Sequence, residues 1–193
     1  MTRVPLVPDD DLDDVSASVL EHFRTEGREP IALYRALANV PLLLRSYSVF
    51  ARSLRSDATT DRNLRELVIL RSAQLTGSAY EWSHHVPMAT AAGVRPEQID
   101  ALADWKESTV FDERERAAVR CAEEVHALGM SDATFAELEG LLGRPGALEV
   151  VLTASFYQAV SRIVQGLGVE VERAYEPHLE SFRPTPRTEE DVK

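Results

Sequence analysis

Apolar residues recur every three or four positions through almost the whole chain. This spacing places them on one face of an α-helix, whereas a half-buried strand would alternate apolar and polar residues. No convincing run of alternating β-branched residues is present. The pattern therefore predicts an all-α fold, a helical bundle.

The helix boundaries are predicted from acidic residues or proline where a helix begins and from glycine where it ends. A first helix follows the acidic stretch DDDLDD and ends at Gly27, and Pro41 opens the second member of a helix pair. Two further helices, over about residues 61–76 and 78–92, are separated by Gly77. The helical pattern restarts at Asp112. We expect one all-helical domain over residues 1–182 and a mobile tail over residues 183–193, which lacks apolar anchors.

A short internal echo links the two parts of the chain. RELVILRSA at 65–73 and ALEVVLTAS at 147–155 both place a glutamate before branched apolar residues, and each leads to a tyrosine, Tyr80 or Tyr157. The match is short, so coincidence and a duplication of two similar helical halves both remain open.

Charge and composition narrow the class of protein. The chain has 32 Asp and Glu against 21 Lys and Arg, a net charge of −11, which disfavours nucleic acid and anionic membranes as partners. Six arginines between residues 45 and 71 are interleaved with acids, as on a solvated face; the rim of an anion-attracting pocket is the alternative. No targeting segment is evident, and no apolar run approaches the roughly 20 residues of a membrane helix. We expect a soluble, cytoplasmic protein.

One segment concentrates polar chemistry. In SAYEWSHHVP, residues 78–87, the side chains of Ser78, Glu81 and His85 share one helical stripe, and Glu81 can touch His85 four residues later. Tyr80 and His84 form a second such pair about 100° round the helix. A hairpin at Gly77 would bring Glu66 toward this stripe, which makes Glu66 a further candidate.

Three interpretations of this segment are open from the residues alone. A Glu and a His four apart are common as an exposed pair. They can also form an acid/base site, in which a carboxylate orients the imidazole or a buried carboxyl becomes the acid itself. Metal ligation is the weakest, because adjacent histidines point about 100° apart and do not match the zinc-helix spacing. The single cysteine, Cys121, lies on an apolar helical face and is expected in the core.

LRELVILRSAQLTGSAYEWSHHVPMATAAGVRPEQIDAL, FDERERAAVRCAEEV and SFYQAVSRIVQGLGVE together resemble the carboxymuconolactone decarboxylase family, relatives of the alkylhydroperoxidase D-like proteins. The resemblance covers roughly residues 30–170. It implies an all-helical, alkylhydroperoxidase D-like bundle and a homo-oligomer, a trimer or hexamer, with a dimer as a further option. It also implies an active site near the helix hairpin and a subunit interface.

The resemblance assigns a relay to four positions. The peroxidase branch has a Glu, a C-x-x-C and a His, and the matching residues here are Glu66, Ser78, Glu81 and His85. Both redox cysteines are absent, so thiol peroxidase activity is not expected. The decarboxylase branch, which uses no thiol, metal or organic cofactor, resembles the chain better.

In that branch CO₂ is lost from a lactone acid and the electrons pass to the lactone carbonyl. The resemblance then assigns His85 as proton donor, Glu81 as its orienter or co-acid and Glu66 as the end of the relay. Substrate-binding roles fall to Ser78, Tyr80 and His84. We expect a lyase acting on a small carboxylated or lactone compound, with Arg65, Arg71 and Arg120 as candidate anion contacts. The alternative is an oligomeric binding protein that has lost the reaction.

Overall fold

The computed structural model describes residues 2–186, and within them the chain forms helices joined by short turns, with no strand. The prediction of an all-α fold is confirmed. The main helices are α1 Asp14–Thr25, α2 Ala32–Leu37, α3 Pro41–Arg52, α4 Arg62–Thr76, α5 Ala79–Ala91, α6 Pro96–Ala101, α7 Glu113–His126 and α8 Asp132–Leu167. Shorter turns are 3₁₀ segments at Asp9–Asp11, Leu102–Asp104 and Glu176–Ser181 and a π-helical turn at Ser53–Asp57.

Helix α4 is the centre of the bundle. Twelve of its 15 residues are buried, because α5, α7 and α8 all pack against it. On one side Leu67 and Leu70 join a core with Trp82 of α5. On the opposite side Val68 meets Val150 of α8. A helix that is packed on several sides in this way is a core helix, so the polar residues it carries are buried with it.

Gly77 turns α4 back into α5. Its φ of 66° is left-handed, a conformation in which a side chain would be strained, and the Ser78 N–H closes the turn by donating to the Ala73 carbonyl at 2.8 Å. With a rise of about 1.5 Å per residue, Glu66 lies about 16 Å before the turn and His85 about 12 Å after it. The predicted hairpin therefore brings these two residues to nearly the same level.

Helix α8 is interrupted at Gly143, whose φ of 70° and ψ of 166° are not helical. It is long and apolar enough to meet the length and composition of a membrane span, with a mean hydropathy of 1.2, so the expectation that no such run exists was wrong. Half of that apolar window is buried, and α8 packs on α4 and α7. This is the behaviour of a core helix.

The segment after α8 returns across α5. The Trp82 indole donates to the His178 carbonyl at 3.1 Å, and Phe182 packs beside the Trp82 ring at 5.6 Å. Thr185 then donates its N–H to the Gln74 carbonyl at 2.9 Å. The predicted tail falls mostly on residues 187–193, which lie outside the described residues.

The two glutamates of the internal echo, Glu66 and Glu149, have different contacts in the structure. Glu149 accepts the backbone N–H groups of Thr59 and Thr60, both at 2.8 Å, just before α4 begins. Glu66, its counterpart, faces His85 instead. Whether the two halves share an origin therefore stays a prediction.

Candidate functional site

The start of α5 leaves one carboxyl group free for the site. SAYE has the S-x-x-E pattern of a capping box, and the Ser78 hydroxyl does accept the Glu81 N–H, at 3.3 Å. The reciprocal contact from the Glu81 side chain is absent from this cap in the described structure. The carboxyl group of Glu81 lines a cavity instead. Ser78 therefore caps the helix as the capping-box pattern predicts, whereas the Glu81 side chain does not complete the capping box. Such departures from a local pattern occur at functional sites.

His85 lies between two carboxyl groups. Its Nδ1 is 2.8 Å from Glu66 Oε2, and its Nε2 is 3.7 Å from Glu81 Oε2. All three side chains are buried, with exposed fractions of 0% for Glu66, 4% for Glu81 and 6% for His85. Arg62, one turn before Glu66 on α4, forms a close ion pair with the other Glu66 oxygen.

The two carboxyl groups titrate in opposite directions. Burial raises the pKa of Glu81 to about 8, because nearby Arg55 only partly offsets the burial and the charge on Glu66 adds to it. Burial would also raise the pKa of Glu66, but His85 and Arg62 outweigh it and hold that pKa below its usual value. At neutral pH Glu81 is therefore the protonated acid and Glu66 the carboxylate.

The pKa of His85 is lowered, since burial disfavours its charged form more than Glu66 favours it. A neutral imidazole beside an ionised Glu66 donates its Nδ1 proton to that carboxylate. This assigns the free lone pair to Nε2, the nitrogen that faces Glu81. The result is an acid and a base side by side.

These groups open onto a cavity whose inner part is about 50 Å³, room for a few water-sized groups, and which is partly open to solvent, so that a larger ligand can extend outward from it. Its wall is mainly aromatic. Tyrosines come from α2, α3, α5, α8 and the segment after α8, with Arg55 and Arg28 as the cations. The polar and aromatic lining residues are Phe23, Arg28, Tyr34, Tyr47, Arg55, Tyr80, Glu81, His84, His85, Tyr157 and Tyr175.

Arg55 is carried by the π-helical turn Ser53–Asp57, an element that is frequent at functional sites. The turn is closed by the Ala58 N–H, which donates to the Ser53 carbonyl at 3.1 Å. Two guanidinium groups of α4 then hold the Arg55 carbonyl, from Arg62 at 3.0 Å and from Arg65 at 3.3 Å. The backbone of Arg55 is thus anchored on the helix that carries Glu66.

His84 enters a different set of contacts. Its Nε2 is 2.7 Å from Glu172 Oε2, and its ring is stacked between Tyr80 at 4.3 Å and Tyr175 at 3.7 Å. Tyr80 donates to the other Glu172 oxygen and accepts the Leu33 N–H, both at 3.2 Å. His84 and Tyr80 line the cavity. His84 Nε2 and the Tyr80 hydroxyl hold the segment after α8, whereas His84 Nδ1 is buried without a hydrogen-bond partner among the described residues.

The structure separates the predicted site residues. Glu66, Glu81 and His85 come together as proposed from the sequence, whereas Ser78 caps α5 and does not line the cavity. The predicted arginine contacts are engaged elsewhere: Arg65 donates to Thr60, Arg71 pairs with Glu123, and Arg120 pairs with Glu137.

Sequence reasoning missed Arg55, Tyr34, Tyr157 and Glu172. Tyr157 was visible only as the end of the internal echo, and Arg55 only as one arginine among six. Cys121 is a core residue, as expected, and burial raises the pKa of its thiol to about 12. Within residues 2–186, no group of three or more His, Cys, Asp or Glu side chains is arranged to hold a metal ion.

The comparisons with known proteins point to one superfamily. Residues 41–124, from α3 into α7, match the model of the carboxymuconolactone decarboxylase family. No curated protein sequence matches the chain.

Solved structures match over nearly the whole chain. An uncharacterized peroxidase-related protein from Ralstonia eutropha JMP134, with an alkylhydroperoxidase AhpD core, superposes with a TM-score of 0.79, 18% identity and coverage of 95% of this chain and 98% of its own. The debrominase Bmp8 gives 0.78 and 18%, covering 93% and 97%. A cysteine-to-alanine variant of Bmp8, in complex with 2,3,4-tribromopyrrole, gives 0.77 and 20%, covering 94% and 100%.

At these identities the structural matches establish the fold, which is that of alkylhydroperoxidase D-like proteins. The matched family region contains Glu66, Glu81, His85 and Arg55, whereas Tyr34 and Tyr157 lie outside it. The sequence match over residues 41–124 and the fold agree: this part of the chain is similar to the carboxymuconolactone decarboxylase family, and the fold is that of the alkylhydroperoxidase D-like proteins.

Proposed function

We propose that the protein is a cofactor-free acid/base enzyme of the lyase or decarboxylase type, acting on a small carboxylated or lactone substrate. The observation that carries this proposal is the pair of oppositely titrating glutamates around His85, with a cavity beside them. Every group that the reaction needs comes from the chain, so the proposal invokes no cofactor.

The family resemblance assigned His85 as the proton donor, and the geometry supports exchanging the roles of His85 and Glu81. Glu81, protonated up to a pKa of about 8, is the better acid at neutral pH. His85 has its proton on the side of Glu66, so Nε2 can accept a proton but has none to give. We therefore assign Glu81 as the acid and His85 as the relay that restores its proton.

The proposed reaction is a decarboxylation followed by protonation at carbon. The bond between the substrate carbon and its carboxylate breaks, CO₂ leaves, and the electron pair passes through a conjugated alkene to the carbonyl oxygen as an enolate. Glu81 then delivers its proton to carbon and becomes a carboxylate. It regains a proton from solvent by way of His85, which Glu66 stabilises while the imidazole is charged.

Thiol peroxidase chemistry is not part of the proposal. Ser78 and Glu81 stand at the positions of the redox cysteines, and Cys121 is a buried thiol with a pKa near 12. The second candidate is a binding protein of the same fold, and the small size of the cavity favours it. Under it, a ligand is retained without conversion.

The test uses carboxymuconolactone, the namesake substrate, with ultraviolet absorbance and CO₂ release as readouts. Wild type is compared with Glu81→Gln, in which the amide keeps the shape of a neutral carboxyl group and cannot release a proton. Exposed Glu107→Gln is the matched control. Turnover that is lost only in Glu81→Gln supports the proposal. Equal turnover in all three proteins rejects the role of Glu81, and no turnover in any rejects this substrate and favours the binding protein.

We also propose that the protein is a cytoplasmic homo-oligomer. Large apolar side chains stay exposed on neighbouring parts of α3 and α8, where Phe50 meets Phe156 at 5.0 Å. They are Leu42, Leu43, Val49, Phe50, Leu148 and Leu152. A second copy of the chain would cover this surface. Light scattering should give an oligomer for wild type and a smaller species for Leu43→Asp; a wild-type monomer at micromolar concentration contradicts the proposal.

A further inference from the structure

Two buried hydroxyl groups in the cavity donate to no acceptor in the described part of the chain. Tyr34 is 2% exposed and Tyr157 is 3% exposed, and neither O–H has an acceptor among the described residues, although both hydroxyl oxygens lie near the Arg55 guanidinium. A buried hydroxyl that forms no hydrogen bond costs free energy, so native structures rarely contain two at one place. Two together indicate a site that is completed by something else.

Arg55 lies beside both hydroxyls. Burial works against its charge, but the neighbouring Tyr34 and Tyr157 more than offset this and keep the pKa of Arg55 above its usual value. Within residues 2–186 no carboxylate forms an ion pair with this guanidinium, unlike that of Arg62 or Arg71. The cavity therefore contains a cation and two potential O–H donors with unused hydrogen-bonding capacity.

Arg55 and Tyr157 lie next to the proposed proton-transfer residues, Glu81 and His85. Tyr157 packs its ring edge-to-face against His85 at 4.9 Å, and the charge of Arg55 acts directly on Glu81. Donors beside a proton-transfer site are placed where negative charge develops on a reacting oxygen. They are fixed before the reaction, because the π-helical turn and α4 hold the backbone of Arg55.

We infer that Arg55, Tyr34 and Tyr157 form an oxyanion site that binds the enolate oxygen of the substrate. The inference rests on the proposed function, and it selects one of two substrate oxygens. A carboxylate held by Arg55 would be stabilised in the ground state, which opposes loss of CO₂. An enolate oxygen held there gains stabilisation as the electron pair arrives. The substrate class is thus a small compound whose carbonyl oxygen, rather than its departing carboxylate, faces Arg55.

The probe is 4-nitrophenol, a small ring whose oxygen becomes an anion and whose ionisation is visible by absorbance. Wild type at pH 7 should bind the yellow phenolate in preference to the phenol, so that the bound ligand ionises at a lower pH than the free one. 4-Nitroanisole, which cannot form an oxyanion, is the ligand control and should bind more weakly.

Three variants locate the effect. Arg55→Met should weaken phenolate binding roughly 10- to 100-fold, and Tyr34→Phe and Tyr157→Phe roughly 3- to 10-fold each. Exposed Arg45→Met is the matched control and should bind as wild type does. Both Phe variants should keep or raise the melting temperature, because each removes a buried O–H that has no acceptor among the described residues. A merely structural tyrosine would lose stability instead.

The outcomes distinguish this inference from the proposed function. If wild type fails to bind nitrophenolate, or if Arg55→Met binds it equally well, the oxyanion site is rejected whatever the lactone assay gives. If phenolate binding follows Arg55 while turnover is indifferent to Glu81→Gln, the oxyanion site stands and the acid assignment falls.

Discussion

Two adjacent histidines of α5 occupy opposite kinds of surroundings. His85 faces α4, where Glu66 holds one nitrogen while the other is left facing Glu81 beside the cavity. His84, about 100° round the helix, faces the segment after α8, where Glu172 accepts from it and two tyrosine rings enclose it. Each histidine has a carboxylate partner, yet only His85 has a second carboxyl group with a raised pKa.

The comparison shows what a histidine–carboxylate pair needs in order to act in chemistry. Between His84 and Glu172 the contact stabilises a chain crossing, because Glu172 also accepts the Ala32 N–H at 2.6 Å. Between His85 and Glu66 the contact fixes a tautomer and leaves Nε2 free. The two histidine–carboxylate pairs therefore have similar geometry. They differ because the second nitrogen of His85 faces the carboxyl group of Glu81, whereas His84 has no second carboxyl group beside it among the described residues.

The largest expected difference is in turnover. We expect His85→Ala to lower kcat in the lactone assay by roughly 10²- to 10⁴-fold, the usual contribution of a positioned acid or base. His84→Ala should stay within about tenfold of wild type, since His84 holds a segment and transfers no proton. Steady-state kinetics of the two variants checks this. Equal losses would remove the functional distinction between the two histidines.

The next prediction concerns the stability contributed by Glu81, since the pair of His84 and Glu172 has no second carboxyl group of this kind within residues 2–186. Its folded pKa of about 8 lies above the ordinary value of 4.5, so the folded protein holds this proton more tightly than the unfolded chain does. The contribution to stability is complete below about pH 4.5 and is lost as pH rises toward 8.

The substitution Glu81→Gln removes the loss of stability that wild type shows as pH rises toward 8. Relative to wild type, the variant should be nearly unchanged in free energy of unfolding at pH 5 and more stable by up to about 4 kcal/mol at pH 8. Urea unfolding at both pH values measures the difference, with Glu107→Gln as the exposed control. A Glu81→Gln variant whose relative stability is the same at both pH values would show that Glu81 is ionised throughout.

The two anionic partners should differ in stability as well. Glu66 is fully buried and paired with both Arg62 and His85, so Glu66→Gln should cost about 2–3 kcal/mol of unfolding free energy. The Glu172 side chain is 29% exposed and can exchange partners for water, so Glu172→Gln should cost about 1 kcal/mol. Chemical denaturation at pH 7 compares them, and a reversed order would contradict the burial argument.

The sequence predicted one side of the site and not the other. Glu66, Glu81 and His85 belong to two consecutive helices joined at Gly77, and helical spacing with a single turn is enough to bring them together. Arg55, Tyr34, Tyr157 and Glu172 approach through tertiary packing of four separate elements, which no local period encodes. Ser78 caps α5 and lies outside the cavity lining, so its substrate contact stays a prediction.

The last predicted effect is a local one, and it isolates the role of His84. His84→Ala removes the bond to Glu172 and both ring contacts, so hydrogen exchange should accelerate about tenfold, or roughly 1.4 kcal/mol, at the Ala32 amide and across residues 169–182. Global unfolding should change far less, since α4, α7 and α8 keep their packing. His85→Ala is the matched control and should leave the Ala32 amide protected, because His85 contacts neither Glu172 nor Tyr175 in the described residues. Exchange that accelerates equally in both variants would mean that the two histidines stabilise one common unit, and the contrast between them would then lie in chemistry alone.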